Sequence, residues 1–472
     1  MTAPPQPKPC YLSRRRRLLA QLHHPLLLFS GGEVPRNAPS TAYPFRADSN
    51  FLYFFGPCEP DCAAFLDPDN ARISFFAPQR TPQNTLWTGP QPSFETLKQS
   101  LGVDEVLEWE GLEGHIPRLG GGRPLESLAI ADERTTQRAR KLTGQEMSFG
   151  KPGRRGPPAL LRALANMRLC KEADEIEEIS SAVRITQEAH LAAMRHTRPG
   201  LFEYEVYAHL LAVFARHACQ EAYSTILSVR GEVLHNPHRG NRLEGGELLL
   251  VDAGAEGPHG YAADLTRTWP VSGKFSAEAK AIYEVVLLAN QRCIEAVRPG
   301  IRFRALQRLA SQVLAEGLAG VGLLRGRTED ILASGALSVF FPHGIGHLLG
   351  LDVHDLEGFE EALSEASPGP AEGMAPPPLR MDITLKEGMV FTLEPGIYLI
   401  PSRIGSAELQ KSFGEFVNFE EAGRYVQMNG GRGFGGIRIE DNVLCTPTHA
   451  EVLTAAMPKQ PAEIEALVGA AL

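Results

Sequence analysis

Over the first ~160 residues, short apolar runs alternate with turn signals. "HPLLLFSGG", "NFLYFFG", "CAAFLDPDNARISFFAP" and "SLAIADE" predict strands, and "PSFETLKQSLG" has the spacing of a helix. A polar, Gly- and Pro-rich stretch, "GKPGRRGPP" (Gly150–Pro158), then interrupts the pattern like a linker. Beyond it, "ALLRALANMRLCKEADEIEEISSAVRITQEAHLAAMRHTRPG" carries helical apolar spacing to a Pro-Gly stop, as one helix or two. Further helices are predicted at Phe202–His217, Ala277–Val297 and Phe303–Ala319. Three strand-like segments punctuate this second half: "GELLLVDAGAE", "GMVFTLEPGIYLI" and "GGIRIEDNVLC". Helices and strands mix there without a βαβ rhythm, which favours α+β. "SEASPGPAEGMAPPPLR" (Ser364–Arg380) reads as a Pro-rich loop between ordered motifs, and no fixed-period repeat is present.

A chain of 472 residues exceeds one ordinary core, so two domains are expected, with the boundary at the linker: 1–160 and 161–472. The net charge of −9 offers no basic face for nucleic acid. The Arg14–Arg17 run lies in a helix-like stretch and reads as a solvated helix face. No apolar run approaches the ~20 residues that span a bilayer, and the "LLLF" after Pro25 is too short for a signal core. Seven scattered cysteines, an odd number, with only Cys58 and Cys62 close together, fit reduced thiols in a cytoplasm.

The informative residues are acids set in apolar strands. Asp252 ends one strand and Asp264 begins the next, with "GAEGPHG" as the turn between them. Alternation places Thr266 on the same face as Asp264. Glu394 closes "VFTLEPG", and in "GIRIEDNV" Arg438 and Glu440 face away from Ile437 and Ile439. A carboxylate in a core-like strand is costly unless paired or metal-bound, and several that converge would repel one another. Two divalent cations cancel that repulsion. His343, His347 and His354 crowd "PHGIGHLLGLDVHD". His343 and His347 have the i, i+4 spacing of a zinc helix, but the intervening "GIG" argues against a helix and lacks the general-base Glu. One neutral His added to four carboxylates makes an oxygen-rich set suited to Mn²⁺, with Co²⁺, Fe²⁺ or Zn²⁺ as substitutes.

The ordered motifs "VDAGAE", "YAADLTRTWP", "HGIGHLLGLDVHD", "TLEPGIY" and "GIRIEDNV" resemble the proline-specific metallopeptidases of the pita-bread fold, aminopeptidase P and Xaa-Pro dipeptidase (prolidase). The resemblance covers roughly 165–455, and "YPFRADSNFLYFFGPCEPDCAAF" is similar to the amino-terminal domain of these enzymes. It implies an α+β pita-bread catalytic domain preceded by a smaller α/β domain. It also implies a dinuclear site in which Asp252 binds one metal, Asp264 and Glu440 bridge both, and His347 and Glu394 complete the second. A hydroxide shared by the metals would attack the carbonyl before proline, with Glu394 shuttling the proton. His235, His343 and His354 would line the pocket, and Arg438 would anchor neighbouring carboxylates. His238 and His259 read as surface residues, and Pro237 departs from the family pattern.

The expected substrates are peptides with proline in second position, and the expected assembly is a homo-oligomer, a dimer or tetramer. Two features point instead to a dipeptidase: Arg432 as a clamp for a free carboxylate, and the insert Pro401–Gly430. The amino-terminal domain and the "HNP" stretch favour the aminopeptidase, which is the preferred reading. A non-catalytic relative is disfavoured because all five metal-binding positions are occupied by ligating residue types.

Overall fold

The structure is a computed structural model that describes residues 8–38, 40–151, 153–363 and 379–470. Most of the Pro-rich loop expected at Ser364–Arg380 lies outside the described residues. The chain divides into two compact units, Met1–Leu169 with Leu356–Leu363 and Cys170–Asp355 with Ser364–Leu472.

The first unit is built on a five-stranded mixed sheet in the order Glu105–Glu108, Arg72–Ala77, Cys62–Asp67, Leu26–Gly31, Glu126–Ser127. The inner pairs are antiparallel and the edge pairs parallel. Leu27, Phe29, Phe65, Phe76, Leu112 and Ile130 pack together on it.

Three local expectations are corrected here. "NFLYFFG" is no strand: Ser49–Phe55 is a wholly buried helix, and Asp48 caps it by accepting from the Asn50 N–H at 2.9 Å. An unbroken apolar run has no period that distinguishes strand from helix, so the cap decides. In "SLAIADE" the strand stops at Ser127, and Asp132 caps a helix, Glu133–Thr143, that begins at the end of that run. The arginine run is not simply a solvated face, because Arg14 and Arg15 are buried while Arg16 and Arg17 are exposed. The Arg14 guanidinium lies 4.4 Å from the Tyr53 ring centre. That of Arg15 lies 5.0 Å from the Phe55 ring and donates to the Leu101 carbonyl. Aromatic faces thus accommodate guanidiniums that a helical wheel assigns to water.

The second unit is α+β. The long helical pattern resolves into two helices, Pro158–Leu169 at the end of the first unit and Ala173–His196 in the second. Glu203–Arg216, Ala277–Ala296 and Phe303–Gly320 follow close to the predicted bounds. Helix Ala173–His196 packs on the strands Leu248–Ala253 and Leu265–Pro270, and helix Ala277–Ala296 packs on Val390–Leu393, Gly396–Tyr398 and Gly436–Arg438. The strands form short antiparallel sheets.

The histidine-rich stretch is neither helix nor strand across residues 341–359. It runs beside Val390–Leu393 instead. The Leu349 N–H donates to Val390 O at 3.0 Å, Thr392 N–H to His347 O at 2.8 Å, and Glu394 N–H to Ile345 O at 2.8 Å. These bonds fix His347 beside the strand that leads into Glu394.

In the hairpin, Asp252 stands opposite Thr266 and Ala253 opposite Leu265, so the two aspartates are offset and not directly across from each other. Between them the chains approach so closely that a Cβ on Gly254 would overlap the Ala263 carbonyl oxygen. Gly254→Ala is therefore expected to destabilise the protein by about 1–3 kcal/mol, the cost of overpacking a rigid site. The check is thermal melting of the metal-free chain, and an unchanged midpoint would contradict the close approach.

Candidate metal centre

Asp252, Asp264, His347, Glu394 and Glu440 all line one cavity of about 590 Å³. Each is placed by backbone rather than by a shared element. Asp252 lies at the end of Leu248–Ala253, Asp264 immediately precedes Leu265–Pro270, and Glu394 follows Val390–Leu393. Glu440 sits between Gly436–Arg438 and Asp441–Cys445. Ligand atoms of Asp264, His347 and Glu440 lie within 4.8 Å of one another. The other two join through close contacts. His347 Nε2 is 3.3 Å from Asp264 Oδ2 and 3.7 Å from Glu394 Oε1, while the Tyr223 hydroxyl bonds Asp252 Oδ1 at 2.5 Å and also Asp264 Oδ1. His347 Nδ1 lies 3.0 Å from the Leu348 carbonyl, which leaves Nε2 to face the acids.

The electrostatics record the crowding. Burial, opposed in part by Arg438, lifts the Asp252 carboxyl to about 6. Burial lifts Glu394 to about 7 against the pull of His347. Glu440 stands well above its ordinary value through burial and the charges of Asp264, Glu394 and Asp252. Only Asp264 is held low: burial works to raise it, but the hydrogen bond and charge of His347 prevail, and His347 is raised in return. Acids pushed towards protonation around one cavity, with an imidazole nitrogen aimed among them, are a donor set that two divalent cations would satisfy.

The other expected residues divide. His235, His343 and His354 line the same cavity. Burial pushes His343 and His354 down to about 3, so both imidazoles are neutral near pH 7. His343 Nδ1 lies 2.8 Å from Gly344 O and its Nε2 lies 2.8 Å from the Tyr398 hydroxyl. Arg438 is a hub: Nε donates to Thr266 Oγ1 at 3.1 Å, one terminal nitrogen to the Tyr398 oxygen at 2.9 Å, and the other to Asp252 Oδ2. Thr266 in turn donates to Glu440 Oε2 at 2.7 Å. His238 is exposed, and His259 is half-buried, 2.8 Å from Glu178.

Arg432 lies elsewhere. Its guanidinium pairs with Glu247 at 2.6 Å and donates to the Arg242 carbonyl at 2.9 Å, and it does not line the cavity. A guanidinium finds the nearest buried carboxylate, and Glu247, buried at the end of its turn, supplies one. The exposed guanidinium that does line the cavity is Arg380. Tyr223 and Tyr398 were missed from the sequence. Tyr398 falls within "TLEPGIY", but Tyr223 lies in none of the acid-bearing motifs, and a single tyrosine has no spacing to betray a hydroxyl aimed at carboxylates.

The raised Glu394 carboxyl makes a pH prediction for the metal-free chain. Between the ordinary glutamate value and about 7 the unfolded chain has lost this proton while the folded chain keeps it, so stability falls as pH rises through that window. Melting midpoints of metal-free protein between about pH 5 and about pH 7.5 should decline more gently in Glu394→Gln than in the parent. Identical slopes would show that Glu394 is not held protonated.

Comparison with known proteins agrees with this geometry. Residues 177–447 match the model of metallopeptidase family M24, and residues 11–126 match the aminopeptidase P, N-terminal domain. The Xaa-Pro aminopeptidase of Haemophilus influenzae is 34% identical over 470 residues, covering 98% of this chain and 97% of that protein. The human Xaa-Pro dipeptidase is 31% identical over 454 residues, covering 93% and 88%. Among solved structures, Pseudomonas aeruginosa aminopeptidase PepP superposes with a TM-score of 0.81 at 31% identity, covering 99% of both chains. Zinc-substituted Escherichia coli aminopeptidase P in complex with product gives 0.79 at 30% identity, covering 98% of both. With an aminopeptidase P amino-terminal domain ahead of a pita-bread domain that gathers four carboxylates and a histidine on one cavity, this chain belongs to metallopeptidase family M24.

Proposed function

We propose that this protein is a Xaa-Pro aminopeptidase that removes an N-terminal residue preceding proline. The observation that carries the reading is the single cavity lined by Asp252, Asp264, His347, Glu394 and Glu440 together with His235, His343 and His354. Residues 1–160 would form the amino-terminal domain and residues 161–472 the catalytic domain. Asp252 would hold one divalent ion, Asp264 and Glu440 both, and His347 and Glu394 the other. Such a pair, when bound, supplies an acidified water and positive charge for the carbonyl oxygen. The oxygen-rich donor set favours Mn²⁺.

The chain's own residues do the rest. Glu394, at the cavity wall, accepts a proton and passes it to the leaving imide nitrogen. Neutral His343, steadied by Tyr398 and Gly344 O, presents a fixed ring edge to substrate, and His354 lies edge-on to His347 with ring centres 4.4 Å apart. The Xaa-Pro bond is a tertiary amide without an N–H, so recognition must come from shape rather than from strand-like pairing. Ile226, Leu234, Val353 and Leu379 give the cavity its apolar lining. Seven free cysteines fit a reducing cytoplasm, and no helix of the described residues is long and apolar enough to cross a membrane. A homo-oligomer is proposed by analogy with the family and is checked by light scattering.

One observation favours the dipeptidase alternative: Arg380 lines the cavity, where a cation suits a free C-terminal carboxylate. Cleavage of an Xaa-Pro dipeptide is therefore to be compared with that of Xaa-Pro-Yaa and longer peptides. The account expects turnover of the longer peptides, whereas hydrolysis of the dipeptide alone would make the protein a dipeptidase. Asp264→Ala should lower kcat at least about 10³-fold, because it removes a ligand shared by both ions. Near-parental turnover in that variant would refute the role of Asp264.

A further inference from the structure

Next in the chain to the cavity residues, but not lining the cavity, lies a polar cluster that the reaction does not use and that is buried apart from the partly exposed Lys459. Its centre is Asp441, next in the chain to Glu440 and buried. Arg267, also buried, donates to Asp441 Oδ1 at 2.8 Å, and Lys459 Nζ donates to Oδ2 at 2.7 Å. Thr454 Oγ1 donates to Asp441 Oδ1 at 2.8 Å and accepts from the Asn442 N–H at 3.2 Å. Lys459 Nζ also donates to Asn290 Oδ1 at 2.9 Å.

The outward bonds of this cluster end on the backbone at three of the proposed metal ligands. Arg267 donates to the Glu440 carbonyl at 2.6 Å. The Asn290 amide, oriented by Lys459, donates to the carbonyls of Leu393 at 3.2 Å and Ile439 at 3.4 Å, the residues just before Glu394 and Glu440. Asn442 takes the Asp264 N–H on Oδ1 at 3.2 Å and returns its own N–H to the Asp264 carbonyl. The segment Thr454–Lys459 adds the Met457 and Pro458 carbonyls to Arg267 at 3.3 and 3.0 Å.

A buried ionic cluster of this kind adds little net stability, since apolar side chains of the same volume would serve as well. What it supplies is a constrained arrangement, because shared donors and acceptors tie separate segments together: Lys459 Nζ bridges Asn290 and Asp441, and Asp441 Oδ1 accepts from both Arg267 and Thr454. We infer that Lys459, Asp441, Thr454 and Asn290 are positioning residues that set the backbone of Asp264, Glu394 and Glu440 for metal binding, so that the C-terminal segment governs how tightly the metals are held. The inference rests on the proposed dinuclear site.

The test is titration of Mn²⁺ into the metal-free full-length chain by calorimetry. Lys459→Met keeps the side-chain volume and removes the cation that orients Asn290. Thr454→Val is isosteric and removes only the hydroxyl that links Asp441 to Asn442. Each should weaken Mn²⁺ binding about 10- to 100-fold, the usual effect of losing a partner behind a metal ligand, and Lys459→Arg should restore most of the loss. KM for peptide at saturating Mn²⁺ should not move, because no residue of the cluster lines the cavity. If Lys459→Met does not fold, Thr454→Val decides alone. Parental affinity in the folded variants overturns this inference and leaves the proposed function standing. A parent chain that binds no Mn²⁺ overturns both.

Discussion

Like charges gathered out of water repel, and here four carboxylates, three of them buried, line one cavity. The fold answers with partial counter-charge. Arg438 meets Asp252, His347 meets Asp264, and Tyr223 lends its hydroxyl to both aspartates. Glu394 and Glu440 receive less, and burial pushes both towards the protonated form. Without cations the arrangement is electrostatically poor. Two of them would be satisfied by the same side chains, and metal binding and the integrity of this region would then become one equilibrium.

Holding such a set requires rigidity from backbone, because carboxylates free to move would turn apart. Each of the five side chains therefore sits at the end of a short strand or beside one. The histidine loop is laced to Val390–Leu393 by three backbone bonds that bring His347 to Glu394. Where the chains must approach most closely, the sequence places glycine: a Cβ on Gly254 would overlap Ala263 O, and one on Gly346 would overlap Thr392 O. Outside the cavity lining, the Arg267–Asp441–Lys459 cluster grips the same backbone.

Much of this was legible in the sequence because it follows from chemistry that single residues reveal. An acid inside an apolar strand is conspicuous wherever it occurs, and Asp252, Asp264, Glu394 and Glu440 each stood out in that way. The long helices were legible because their apolar spacing persists over several turns. What was not legible depends on partners distant in the chain. The apolar run of Ser49–Phe55 carries no helical period and so read as a strand, and it is the Asp48 cap that makes it a helix. Arg14 and Arg15 looked solvated because the rings that cover them, Tyr53 and Phe55, lie beyond the helix. Arg432 suited a carboxylate, but that carboxylate belongs to Glu247 and not to a substrate. Tyr223 and Tyr398 acquire meaning only when folding brings their hydroxyls to Asp252 and His343.

The central claim is that five separated side chains share a pair of cations. Its most direct test is an anomalous difference map from crystals of the protein grown with Mn²⁺. The account predicts two peaks a few ångströms apart, enclosed by Asp252, Asp264, His347, Glu394 and Glu440. An empty cavity, or manganese bound only at other places on the protein, would contradict it.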